Sequence, residues 1–125
     1  MFNVNRKQFE KIVWSALDAL PPALRDKIQN LEISIEDYAR PEHYENGIVP
    51  DDEDMFGLYI GTPLTHRAFG YDLNLPDQII IFKNPHEDIC NNLSELIAEV
   101  TITVRHEIAH YFGISDERLE DLDAY

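Results

Sequence analysis

Phe9, Ile12, Val13, Ala16, Leu17 and Leu20 recur three and four residues apart, the spacing that lines one face of an α-helix, and Asn5 stands where a side-chain cap is wanted. The pattern predicts an amphipathic packing helix from Arg6 to Leu20, ended by Pro21 and Pro22. Because proline is tolerated in a first turn, a short second helix is expected from Pro22 through about Gln29. Leu31, Ile33 and Ile35 then alternate with Glu32, Ser34 and Glu36, the period of a strand with one face in water. Ala39 to Asp54 reads as a polar connection, Phe56 to Ile60 as a second strand, and Thr62 to Leu75 as a loop rich in Gly, Pro and Asn. Gln78 to Phe82 is β-branched and continuously apolar, which predicts a strand covered on both faces.

After Pro85 a long helix is expected from near Asn92 to Phe112, with Leu93, Leu96, Ile97, Val100, Val104 and Ile108 as its core stripe. Glu99, Thr103, His106 and His110 form a row roughly 120° away, a polar face for a cleft. Ser115 to Asp123 can form a short acidic helix. The expected fold class is α+β, and the length fits a single domain over 1–125.

The long helix carries the chemistry. Its end reads Arg105-His106-Glu107-Ile108-Ala109-His110-Tyr111-Phe112-Gly113-Ile114-Ser115-Asp116. Residues four apart on a helix stack one turn above another, so His106 and His110 can offer two imidazoles to one ion. Glu107 leaves the helix roughly 100° round from His106, a poor direction for a third ligand but a good one for a general base acting on water held there. Gly113 falls where a left-handed, helix-ending residue is wanted, and Asp116 follows three residues later as a carboxylate that can return to the ion. At this composition the full H-E-x-x-H-x-x-G-x-x-D pattern is expected by chance in roughly one such chain in ten thousand, against about one in fifty for the bare H-E-x-x-H. The longer pattern therefore carries the zinc reading. Asp116 can alternatively be an acidic first-turn residue of the C-terminal helix, and Glu117, Glu120 and Asp121 are the reserve ligands.

Composition narrows the partners. With 24 acidic and 10 basic residues the net charge is -14, which argues against nucleic acid and anionic lipid and favours basic peptides or protein segments. Asp51 to Asp54 is a run of acids without the spacing of a calcium loop, so it reads as a solvated loop. The single cysteine, Cys90, permits no intrachain disulfide and fits a reducing cytoplasm. Met1 to Glu10 lacks the apolar stretch of a signal peptide, and no run is long enough for a membrane span.

On these stretches the chain resembles a family of small bacterial zincin-like metallopeptidases. The resemblance lies in Gly57-Leu58-Tyr59-Ile60-Gly61-Thr62-Pro63-Leu64-Thr65, in Leu75-Pro76-Asp77-Gln78-Ile79-Ile80-Ile81-Phe82, and most specifically in Arg105 to Leu119. It implies a minimal zincin: a small mixed sheet, an N-terminal backing helix and an active-site helix lying across the sheet. It also implies zinc held by His106, His110 and Asp116, with Glu107 as the base of peptide hydrolysis. The motif is similar to that of metzincins too, but Met1 and Met55 are the only methionines, so no methionine turn follows the motif. An oxyanion donor would come from outside the motif, from Tyr59, His66, Arg67, Tyr71 or Tyr125. His43 and His86 sit beside prolines in stretches that read as polar loops. The rival reading is a non-catalytic zinc-binding module for protein interaction, against which Glu107 argues, since a structural site needs ligands but no base; a latent protease, its cleft covered by the acidic segment Glu117 to Asp123, is a third reading.

Overall fold

The computed structural model describes residues 2–44, 54–61 and 76–113. Helix α1 spans Arg6–Asp18 and opens on a reciprocal cap, in which Asn5 accepts from the Gln8 backbone while the Gln8 side chain accepts from Asn5 N–H. Helix α2 is a single turn, Pro22–Arg25, shorter than the expected run to Gln29. Strands β1 (Leu31–Glu36), β2 (Gly57–Ile60) and β3 (Asp77–Phe82) form one sheet in the order β1-β3-β2, with β1 parallel and β2 antiparallel to the central β3. A 3-10 turn, Pro41–Tyr44, follows β1. Helices α3 (Lys83–Ile89) and α4 (Leu93–Tyr111) complete the described elements, α4 being capped by Asn92. The architecture is the α+β mixed sheet with a long C-terminal helix.

Register decides what faces what. Ile33 and Ile35 of β1 pair with Ile79 and Ile81 of β3, which in turn pair with Tyr59 and Gly57 of β2, so these six share one face of the sheet. On that face the isoleucines meet Phe9, Ile12, Val13, Ala16 and Leu17 of α1 and Leu96, Val100, Val104 and Ile108 of α4 in the main core. Each of these side chains larger than Ala16, fully buried, contributes about 1.5–3 kcal/mol. The opposite face carries Ile80 and Phe82 against Met55, with Ala39, Tyr44 and Leu58 around them. Central β3 is thus covered on both sides apart from Gln78, as its apolar run implies.

Three expectations from the sequence are corrected. Helix α3 was not expected, because the stretch around His86 read as a polar loop; Pro85 stands in the first turn, where its missing N–H would have had no helical partner. Leu93 and Ile97 are exposed rather than part of the core stripe, while Tyr111 is fully buried and replaces them at the other end of α4. The third concerns His86, which lies within α3 and is fully buried, not in a polar loop. His43 is also buried, against Phe82 on the face away from α4. No helix among the described residues is long and apolar enough to cross a membrane.

Candidate metal centre

Helix α4 is anchored by its buried stripe, and the histidine motif sits on its last two turns. His106 and His110 are half-buried with their rings edge-on at 4.5 Å, whereas Glu107 is only 6% exposed and turns toward β2. His110 Nδ1 lies 3.3 Å from Glu107 Oε1. One ligand atom from each of the three residues falls within 4.8 Å of the others. Donors sharing a tetrahedral zinc ion stand about 3.3 Å apart when each bond is about 2.0–2.1 Å, so modest side-chain rotation on a fixed helix would bring the two imidazoles to one ion, with the Glu107 carboxylate beside it. Two imidazoles beside a carboxylate are a donor set that suits zinc.

The helix ends as the motif requires. Gly113 has φ 86°, a left-handed conformation that costs glycine nothing, and its N–H donates to His110 O at 2.9 Å. Asp116 and the reserves Glu117, Glu120 and Asp121 lie outside the described residues, as do His66, Arg67, Tyr71 and Tyr125. Tyr59, the remaining oxyanion-donor candidate, gives its hydroxyl proton to Asp77 Oδ2 at 2.6 Å, and Asp77 is 2% exposed. Its ring stands edge-on to Tyr111, whose own hydroxyl donates to Gln29 O at 2.7 Å and accepts from Gln29 N–H at 2.9 Å. Tyr59 therefore belongs to the bracket around the C-terminal end of α4.

The polar row read from the sequence divides in space. His106 and His110 reach the surface, but Thr103 is buried and points at His86. His86 Nδ1 is 2.6 Å from Phe82 O, a carbonyl that can only accept, so the ring is protonated at Nδ1 and its Nε2 accepts from Thr103 Oγ1 at 2.7 Å. Burial holds the His86 pKa below its ordinary value, against a smaller opposing effect of the Phe82 carbonyl. Sequence reasoning missed His86 and Gly57 as neighbours of the site. A glycine inside a short strand was the one available signal, since it marks a close backbone approach.

A family model described as zincin-like metallopeptidase matches residues 28–125. A conserved hypothetical protein from Thermo thermophilus has a similar fold, with a TM-score of 0.58 and 21% identity over 95% of this chain and 97% of that one. No curated protein matches the chain.

Proposed function

We propose that this chain, which belongs to the zincin-like metallopeptidase family, hydrolyses peptide bonds with a zinc ion held by His106 and His110 and completed by Asp116. The observation that carries this reading is the convergence of His106, Glu107 and His110 on one point of a rigid helix, with the carboxylate of the base candidate mostly withdrawn from solvent. The bound ion would supply Lewis acidity, making water a better acid and polarising the scissile carbonyl. Glu107 takes the proton from the attacking water and returns it to the leaving amine. Its burial favours that role, because a carboxylate removed from water interacts more strongly with a nearby proton donor. His106 and His110 would hold the ion through imidazole nitrogen.

Strand β2 lies at an edge of the described sheet, and Gly57 brings it against Glu107. An extended peptide laid along that edge would pass the site, bound through its backbone groups. The net charge of -14 favours peptides with basic segments.

Glu107→Gln tests the reading. The amide keeps the size and removes the base, so zinc should remain while turnover on a peptide library falls about a hundredfold or more. If zinc-loaded wild type cleaves nothing in a broad library that includes basic peptides, hydrolysis is rejected in favour of a non-catalytic metal-binding module.

A further inference from the structure

Gly57 lies directly beneath Glu107. A Cβ placed there would stand 2.7 Å from Thr103 Cγ2, 3.0 Å from Glu107 Cγ and 3.3 Å from Glu107 Oε2. Carbon atoms in contact prefer about 3.5–4.0 Å, so a hydrogen is all that fits between the strand and these two side chains. Thr103 cannot retreat easily, because its Oγ1 is held at 2.7 Å by His86 Nε2 and lies 3.2 Å from Glu99 O. His86 is itself fixed to the last residue of β3 through Phe82 O, with the Phe9 and Phe56 rings packed around it at 6.0 and 5.1 Å. Central strand, buried histidine, threonine and edge-strand glycine thus form one continuous support behind the Glu107 stem. On its far side the carboxylate meets His110 Nδ1.

We propose that Gly57 and the His86–Thr103 pair are positioning residues that aim the Glu107 carboxylate at a cation held by His106 and His110. The inference rests on the metallopeptidase reading for the purpose of the aim. The aim itself is measurable without turnover. Glu107 has a flexible stem, and nothing in the motif spacing says where its carboxylate points; the contact with Gly57 and Thr103 removes that freedom.

The test uses the zinc-loaded full chain and acetohydroxamate, a zinc-binding probe whose acidic hydrogens need a carboxylate beside the ion, with affinity measured by calorimetry and folding checked by circular dichroism. Glu107→Gln should weaken the probe about tenfold or more, the value of a charge-assisted hydrogen bond. Gly57→Ala should weaken it by a similar factor while zinc affinity stays within about threefold, since neither histidine is touched. Thr103→Val keeps the methyl group and loses the link to His86, so it should also weaken the probe and carries the test if Gly57→Ala fails to fold. Adding Thr103→Ser to Gly57→Ala removes Cγ2, the nearest obstructing atom, and keeps the hydroxyl for His86; part of the affinity should return. A support that only stabilises the fold would move the melting temperature and leave the probe affinity of the folded protein alone. Wild-type probe affinity in both Gly57→Ala and Thr103→Val, or no recovery in the double variant, overturns the proposal, as does an unchanged affinity in Glu107→Gln. Parallel losses in Gly57→Ala and Glu107→Gln, in a protein that cleaves no peptide, would sustain the aim and reject the hydrolase.

Discussion

Replacing His106 by alanine should abolish zinc-linked stabilisation while leaving the apoprotein folded. A ligand that binds only the native state stabilises it by about 2.7 kcal/mol when its free concentration is 100 times the dissociation constant. For 125 residues the unfolding entropy, at about 2.1 cal/mol/K per residue, is about 0.26 kcal/mol/K, so this is a rise of roughly 10 °C in melting temperature. Losing one of two imidazoles should raise the dissociation constant by about a thousandfold, which leaves under about 0.1 kcal/mol and no measurable shift at the same free zinc. The direct cost to the apoprotein should stay within about 1 kcal/mol, or roughly 4 °C. His106 is half-buried and lies outside the stripe of Leu96, Val100, Val104 and Ile108 that anchors α4. Differential scanning calorimetry of chelator-treated and zinc-buffered protein separates the two effects. A zinc-induced rise in His106→Ala within about 2 °C of the wild-type rise would refute the assignment, and so would stoichiometric zinc in the His106→Ala, His110→Ala double variant.

Two further outcomes follow from particular residues. If Asp116 completes the site, Asp116→Ala should weaken zinc about tenfold or more while Glu117→Ala changes it little; competition with a chromogenic chelator measures both, and the reverse order would move the third ligand to Glu117. Burial keeps His86 neutral in the folded chain, with its pKa below the usual value of about 6.5. The unfolded chain therefore takes up a proton that the folded chain refuses as pH falls through about 6.5, and stability should drop from there until the lower folded pKa is reached. Urea unfolding of the apoprotein at pH 7.5 and 5.5 should show a smaller acid loss in His86→Leu than in wild type, and equal losses would contradict the attribution.

Much of the site was legible in the sequence because it is local. His106, Glu107, His110 and Gly113 lie within two turns and a cap of one helix, so helical geometry alone places two imidazoles together and predicts the left-handed turn that Gly113 makes. The same holds for Asn5, whose cap depends on the next three residues. Periodicity was less informative where neighbours decide burial. Leu93 and Ile97 have core spacing but stand exposed, and Thr103 sits in the polar row yet is buried because His86 is there to receive its hydroxyl.

The chain by itself determined the elements with a strong local pattern and the metal-binding potential of α4, since both depend on residues within a few positions of one another. Only the tertiary structure decided where the base points. That depends on β2 pairing with β3 in the register that sets Gly57 opposite Ile81 and under α4, and on α3 carrying His86 back to Thr103. Register and close approach are contacts between segments tens of residues apart, fixed by burial of the whole sheet face rather than by any local preference, so no window of sequence contains them.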